Sequence, residues 1–322
     1  MANPTLLDIA KLNGGNRKEV GLIESVLDAA PEMEIMPART ISGTSYMTVD
    51  RHSLPTTGFT KANEGIAPSK SDFKTRLVET FIFRGAVNVD KAVATAYEDG
   101  ASAYQAIEAQ GVMRSAMIEI GKQVYYGTDE DSNGFAGLQS INTAHVAGGS
   151  GLRIDATGTT ASTASSVYAL KLGPEFVQMV YGGGSAISLP RFREESVTDS
   201  NNGQYDAYVS NLTAWAGLQC VHPYAVGRIC NLTEDAGKGL TDALLAEMVA
   251  AFPIGFTPDV FLMSRRTRRQ LQTDRASLVS LQGDAKTGTL GGGSGYVPTP
   301  TNFEGIPIVA TDSIINTEAI VA

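Results

Sequence analysis

The sequence predicts an α+β fold, and three patterns indicate it. Residues 99–126 form one long stretch with helical periodicity, and two β-prone runs precede it at residues 39–50 and 73–89. From residue 167 onward, strand-like and helical segments alternate. The residue pattern of that C-terminal part fits either α+β or α/β.

Composition limits the function classes. The chain has 322 residues, of which 43% are hydrophobic and 18% charged, so we expect a large core and two or three domains. A net charge of −9 argues against tight nucleic-acid binding, because phosphate binding needs a basic face. The two cysteines form no disulfide framework. The sequence has no apolar run long enough for a membrane helix and no signal peptide, so we expect no membrane partner.

The first segment, residues 1–37, is predicted to be an N-terminal arm with one short helix around residues 22–27. It has too few apolar residues for a core of its own, so we expect it to lie on the body or on a neighbouring subunit. Residues 38–89 are predicted to form a β-ribbon that projects roughly 30 to 50 Å, with a polar tip over residues 51–72. Because an isolated two-stranded ribbon is marginal in water, this segment indicates oligomerisation.

The long helix over residues 99–126 would measure about 42 Å. Its spacing predicts one buried stripe: Ala106, Ala109, Met113, Met117, Ile120 and Val124. Met117 is therefore assigned to the core, and its replacement by Asp is expected to prevent folding. Gly111 interrupts the helix at a cost of about 1 kcal/mol relative to Ala, which suggests close packing or a slight bend there.

A turn-rich loop is predicted over residues 127–145, followed by a flexible or weakly structured connector over residues 147–166. Four residues of the loop match the first half of a calcium-binding EF-hand: Asp129, Asp131, Asn133 and Gly134. Ser140 stands where the bidentate Glu should be, so an ordinary acidic turn is the preferred interpretation.

The second half is predicted as a series of short elements. In chain order they are β-like segments at 167–189 and 204–232, a helix at 240–252, a strand at 260–263, a basic helix from 264 to about 273, a Gly-rich loop at 283–295 and a closing strand at 306–310.

Catalytic, cofactor-binding and metal-ligating residues are not assigned. The glycine stretches at 182–185 and 291–295 lack the Lys-Ser/Thr of a P-loop, the spacing of a dinucleotide site and the nucleophile elbow of a hydrolase. Cys220, His222 and Cys230 match no zinc spacing, so small buried cysteines are the preferred interpretation. No histidine has an evident acid–base partner, and we expect no cofactor and no enzymatic activity.

A basic cluster follows residue 264. It contains Arg265, Arg266, Arg268 and Arg269. The cluster is either a charged interface that meets acidic residues such as Glu194 and Glu195 of a neighbour, or a solvated helix face, which we slightly favour. DNA contact is a weaker third interpretation.

Several stretches, taken in order, resemble one family. They are Leu-Pro-Thr-Thr-Gly-Phe at 54–59 with Asn-Glu-Gly at 63–65, the long helix, Gly-Phe-Ala-Gly-Leu at 134–138, the segment 217–226, and Phe-Glu-Gly-Ile-Pro-Ile-Val-Ala-Thr-Asp at 303–312. Together they resemble the major capsid proteins of tailed bacteriophages, which share the Hong Kong 97-like fold. The long helix is similar to the spine helix of that fold, and the ribbon is similar to its extended loop.

The resemblance implies a domain division and a site. The chain would comprise the arm (1–37), the extended ribbon loop (38–89), a peripheral domain with the spine helix (90–165), a sheet region shared by the peripheral and axial domains (166–235) and the axial domain (236–322). The arm and ribbon would lie over adjacent subunits. The candidate interface residues are Pro55, Gly58, Phe59, Asn63 and Glu64 in the ribbon tip, and Arg265, Arg266 and Arg269 in the basic cluster.

The same resemblance implies a virion protein that is assembled in the host cytoplasm as pentamers and hexamers. The resulting icosahedral shell would enclose double-stranded DNA and touch it only by weak, non-specific contact. We expect a separate scaffolding protein, a portal and a possible decoration protein, with no removal of a large N-terminal segment. Lys61, Lys70 and Lys74 have no evident reactive partner, so we expect noncovalent shells. The alternatives are an encapsulin-like or other shell-forming compartment protein and, less favoured, a hydrolase.

Overall fold

The computed structural model describes residues 30–140, 152–199, 201–222, 224–281 and 298–321. The helices are α1 (Glu32–Ile35), α2 (Lys91–Thr95), α3 (Ala101–Tyr126), α4 (Asp242–Ala251) and α5 (Arg265–Leu281). The strands are β1 (Ala38–Thr40), β2 (Ser45–Ser53), β3 (Asp72–Glu79), β4 (Phe81–Asp90), β5 (Arg153–Asp155), β6 (Ser165–Leu170), β7 (Val177–Tyr181), β8 (Arg193–Thr198), β9 (Gln204–Cys220), β10 (Val226–Leu232), β11 (Val260–Met263), β12 (Asn302–Phe303) and β13 (Ile306–Ala310).

Three sheets organise the described chain. A five-stranded sheet has the order β1-β7-β9-β4, and β8 pairs with the first part of β9. A six-stranded sheet has the order β12-β13-β11-β6-β10-β5. The third sheet contains only β2 and β3, paired antiparallel. Helices and strands therefore mix as expected for an α+β fold.

The six-stranded sheet separates two cores. Tyr168 and Leu170 point from β6 into a core shared with the five-stranded sheet and the C-terminal half of α3. Val167 and Ala169 point to the opposite face, where α4 and α5 pack. Because successive side chains of a strand alternate between faces, a sheet covered on both sides needs an uninterrupted run of buried residues. All six residues of β6 are buried accordingly.

The long helix forms almost as predicted, from Ala101 to Tyr126, but its predicted stripe is wrong in part. Met117 is 50% exposed and Ala106 is exposed, whereas Ile120 and Val124 are buried. The reason is that α3 serves two cores with different faces. Its first half packs Tyr104 against β4 and α2, and its second half packs Ile120 and Val124 into the core between the large sheets.

The ribbon contains fewer residues than the sequence pattern suggested, although its length lies at the lower end of the predicted range of roughly 30 to 50 Å. The run at 73–89 breaks at Thr80, whose amide and hydroxyl both donate to the carbonyl of Thr44. Beyond it, β4 leaves the ribbon and pairs with β9 along ten residues. Residues 38–40 also leave the ribbon, because β1 pairs with β7. The nine residues of β2 give a ribbon of about 30 Å.

The predicted weak connector at 147–166 is also corrected. Its residues 153–155 form β5, and Ser165 and Ser166 begin β6 with no exposed surface. Their hydroxyls donate to the carbonyl of Ile315 and to the carboxylate of Glu318, so these polar residues are buried without loss of hydrogen bonds. Residues 141–151 lie outside the described residues, as do the helix predicted at 22–27 and the Gly-rich loop at 283–295.

Capping residues begin both helices of the C-terminal third. Thr241 caps α4 by accepting a hydrogen bond from the amide of Leu244 over 3.3 Å. Ser264 caps α5 through the amide of Thr267, also over 3.3 Å. The strands at 260–263 and 306–310 begin and end at the residues predicted from the sequence. The basic helix is longer than predicted and ends at Leu281 instead of near residue 273.

Candidate functional site

The register of the ribbon gathers large apolar side chains on one face. Met47 lies opposite Leu77, and Arg51 lies opposite Phe73. Directly opposed residues of an antiparallel pair share a face, and Val49 shares it because it is two residues from Met47. The four side chains Met47, Val49, Phe73 and Leu77 are 73%, 65%, 56% and 54% exposed. We call these four residues the apolar ribbon face.

The opposite face of the ribbon is attached to the body at its root. Val78 is buried against Val180 and Val221, and Tyr46 packs beside it. The hydroxyl of Tyr46 donates to the side-chain oxygen of Gln219 on β9. Since this face holds the ribbon on its own subunit, the apolar ribbon face is turned away from the subunit's own core.

The loop at the ribbon tip carries five of the predicted interface residues. Those residues are Pro55, Gly58, Phe59, Asn63 and Glu64, and all are exposed. The ring of Phe59 is fully accessible, and Asn63 has a left-handed φ of 68°. A 2.7 Å hydrogen bond from the amide of Thr56 to the hydroxyl of Ser69 ties the two sides of the loop together.

The arginines of the basic cluster differ in their contacts and in their exposure. The guanidinium of Arg266 donates to the carbonyls of Thr163, Leu232 and Asn316 within the same chain. Arg265 and Arg269 are exposed and pair with Asp312 and Glu234. Arg266 is thus part of the internal structure, while Arg265 and Arg269 remain on the surface.

The two acidic residues expected to meet this cluster from a neighbour have partners in their own chain. Lys91 approaches Glu194 at 2.8 Å, and Arg193 approaches Glu195 at 2.6 Å. The hydrogen bond from Lys91 lowers the pKa of Glu194. These pairs are exposed and are therefore weak enough to exchange partners.

The residues of the two metal-site alternatives make other contacts within the chain. In the acidic turn, Asp131 accepts hydrogen bonds from the backbone and side chain of Asn133. The ring of His222 stacks on Phe256 with centroids 4.9 Å apart, and the thiol of Cys230 faces the carbonyl of Ile154. Within the described ranges no three His, Cys, Asp or Glu side chains are grouped to hold a metal ion. No helix in those ranges combines the length and apolarity needed to span a bilayer.

A buried ionic network was not foreseen from the sequence. Arg228 on β10 and Glu318 near the C-terminus form an ion pair at 3.0 Å with side chains only 2% and 5% exposed. Tyr126 donates to the other carboxylate oxygen over 2.8 Å, and burial raises the pKa of its hydroxyl. The available signal was a single arginine within the otherwise uncharged strand at 226–232.

Comparisons with known proteins agree with this architecture. A family model described as major capsid protein GP7 matches residues 16–322. A chain in the structure of bacteriophage Epsilon15 is 20% identical, with a TM-score of 0.72, and the match covers 100% of this chain and 98% of that one. The capsid of bacteriophage JBD30 matches with 12% identity, a TM-score of 0.51 and coverage of 92% and 96%.

A weaker match is the encapsulin SrpI of Synechococcus elongatus, at 8% identity and a TM-score of 0.47, covering 72% of this chain and 97% of that one. The search of curated proteins found no match. The family model names a capsid protein and neither of the alternatives left by the sequence, a compartment protein or a hydrolase. The chain belongs to the major capsid protein GP7 family and is a structural component of the virion, the major capsid protein of a tailed phage with the Hong Kong 97-like fold.

Proposed function

We propose that this chain assembles through pentamers and hexamers into an icosahedral head shell that encloses double-stranded DNA, and that the ribbon makes the principal bond between subunits. The observation that carries the proposal is the apolar ribbon face, whose four large side chains are all more than half exposed. Full burial of a side chain of this size contributes about 1.5 to 3 kcal/mol, so covering this face would strongly favour association.

The occupant proposed for this face is a second copy of the chain. An isolated two-stranded ribbon is marginal in water, and among the described residues the apolar contact of the ribbon with its own subunit is made by the face that carries Tyr46 and Val78. Members of this family form multimeric shells, in which each subunit meets an identical neighbour. A head-to-tail contact between identical subunits closes into rings when the rotation fits, as pentamers and hexamers require.

The tip and the surface arginines are proposed as secondary contacts. Pro55, Gly58, Phe59, Asn63 and Glu64 would touch the neighbour beyond the apolar ribbon face. Arg265 and Arg269 would exchange their present acidic partners for acidic residues of an adjacent subunit. Arg266 contributes indirectly, because its three carbonyl contacts hold the first turn of α5 in place.

Other features of the proposed assembly follow from the family and from the charge. We propose assembly in the host cytoplasm with a separate scaffolding protein and a portal, a decoration protein on the outside, and subunits that are not covalently crosslinked. The net charge of −9 supports only weak, non-specific contact with the packaged DNA, because like charges repel.

The experiment is negative-stain electron microscopy of the full-length protein, expressed with and without a candidate scaffolding protein. Closed shells or capsomer rings are expected, and boiling in detergent should release single subunits. Protein that stays a small monomer under every assembly condition would contradict the proposed shell, and high-mass ladders would contradict the noncovalent bonding. In the same assay Phe59→Asp should leave the subunit folded and reduce the yield of shells.

A further inference from the structure

A carboxyl group at the root of the N-terminal arm is buried against α3. Glu32 on α1 has no exposed surface, and its Oε1 atom accepts a hydrogen bond from the hydroxyl of Ser313. Gly121 provides the space, because a Cβ atom at that position would lie 2.5 Å from Glu32 Oε1. The other oxygen of Glu32, Oε2, is buried and has no hydrogen-bond partner among the described residues.

The surroundings of Glu32 disfavour a negative charge. The titratable groups that face it are the phenol of Tyr125 from α3 and the carboxylate of Asp312 from the C-terminal segment. Asp312 is engaged by Arg265, and no ion pair within the described ranges reaches Glu32. Burial raises the pKa of Glu32, and the hydrogen bonds from Ser313 and Thr311 only partly oppose this effect.

We propose that Glu32 is a pH-sensitive latch, which holds the root of the N-terminal arm on α3 while its carboxyl group is neutral and loosens it when the group ionises. The neutral acid needs no ionic partner in this pocket, whereas a carboxylate with an unpaired buried oxygen is costly. The element that the latch holds is α1 itself, so its release would separate α1 from α3. It operates within one subunit and does not depend on how the shell is built.

The direction of the pH effect follows from linkage. An undocked Glu32 would have an ordinary pKa of about 4.3, and the docked group has a higher one. Docking is therefore strongest below the ordinary pKa. It weakens by up to about tenfold per pH unit as the pH rises toward the docked pKa, and it is constant above that value.

Hydrogen exchange of the full-length protein measures this directly. The amides of Ile35 and Met36 bond to the carbonyls of Pro31 and Glu32, so their exchange reports the docking of α1. Protection factors, corrected for the intrinsic effect of pH on exchange, should fall as the pH rises from about 4 to about 8, by no more than about tenfold per pH unit. A wild-type protein with unchanged protection over this range would overturn the proposal.

Two matched variants assign the effect to Glu32. Glu32→Gln keeps the shape and cannot ionise, so its protection should not vary with pH, while Glu34→Gln on the exposed side of the same helix should behave like wild type. If Glu32→Gln does not fold, Ser313→Ala provides the second test. It removes a hydrogen bond that lowers the pKa of Glu32 and should shift the midpoint to higher pH. Wild-type pH dependence in Glu32→Gln, or an unshifted midpoint in Ser313→Ala, would overturn the latch.

Discussion

Arg228 donates a hydrogen bond of 3.0 Å from its Nη2 atom to Oε2 of Glu318, a residue 90 positions away in the sequence. The hydroxyl of Ser166 donates to the same oxygen over 2.5 Å, and Tyr126 donates to the other oxygen. This carboxylate therefore joins β10, β6 and the end of α3 to the C-terminal segment. Because both oxygens of this carboxylate accept hydrogen bonds, the burial of the charge is tolerated.

Replacing Glu318 by Gln should destabilise the subunit by roughly 3 to 5 kcal/mol, because the buried guanidinium of Arg228 loses its counter-charge. Urea unfolding of the full-length protein provides the measurement. The double variant Glu318→Gln with Arg228→Met should recover much of the loss, since no unpaired charge then remains. A Glu318→Gln subunit as stable as wild type would show that the pair is not a structural requirement.

Replacing the two glycines of α3 by alanine should change the stability of the subunit in opposite directions. Gly111→Ala should stabilise the subunit by about 1 kcal/mol, because alanine is the better helix former and its Cβ atom would meet nothing within 4 Å. Gly121→Ala should destabilise it, because the Cβ atom would lie 2.6 Å from Ser313 Oγ and still closer to Glu32. Thermal unfolding of both variants checks this, and equal shifts of the same sign would refute it. The close packing expected at Gly111 occurs at Gly121 instead.

The variant Met117→Asp should fold, with a stability within about 0.5 kcal/mol of wild type, because the side chain of Met117 is half exposed. Ile120→Asp is the matched variant, three residues further along the same helix and only 2% exposed, and it should prevent folding. Circular dichroism and soluble yield distinguish the two. A folded Ile120→Asp subunit, or an unfolded Met117→Asp subunit, would show that the buried face is still assigned incorrectly.

Substitutions in the basic cluster should show which arginine stabilises the subunit and which one acts only in assembly. Arg266→Gln should lower stability by about 1 to 3 kcal/mol, because three carbonyls inside the chain lose charged donors. Arg269→Glu should unfold at the wild-type temperature, since its contact with Glu234 is long and exposed. An effect of Arg269→Glu on shell yield would support its interface role. A large loss of stability in Arg269→Glu would contradict the division of roles.

Elements with local signals could be predicted from the sequence. The strand at 260–263 is a short apolar run, and the following helix has its capping serine at the adjoining position, so neither depends on distant residues. The helix at 242–251 is similar, with a threonine cap and a regular apolar spacing. The stretches at 54–59, 134–138, 217–226 and 303–312, together with the order of ribbon, long helix and mixed sheet, also indicated a phage major capsid protein, which the family model confirms.

Features that depend on distant partners could not be predicted. The buried face of α3 changes along the helix because its two halves pack into two separate cores. No single helical periodicity describes the buried residues of both halves. The ribbon pattern shows alternation, but the free face is decided by the attachment of Tyr46 to Gln219, which is 173 residues away. The importance of Arg228 likewise depends on Glu318, which only the fold brings close.

The apolar ribbon face can be tested by placing charges on it. The double variant Met47→Lys with Leu77→Glu replaces two directly opposed, exposed side chains by an opposite-charge pair, which is favourable across an antiparallel ribbon, so the subunit should fold normally. Ile254→Asp is the control, because Ile254 is fully exposed but lies outside the ribbon. Circular dichroism and thermal unfolding establish that both variants are folded before assembly is compared.

The most direct test of the central claim is the number of closed shells that each of these proteins forms in electron micrographs under identical assembly conditions. Wild type and Ile254→Asp should form shells in equal number, while Met47→Lys with Leu77→Glu should remain as folded, unassembled subunits. Closed shells from the ribbon variant at the wild-type yield would contradict the claim that this face bonds one subunit to the next.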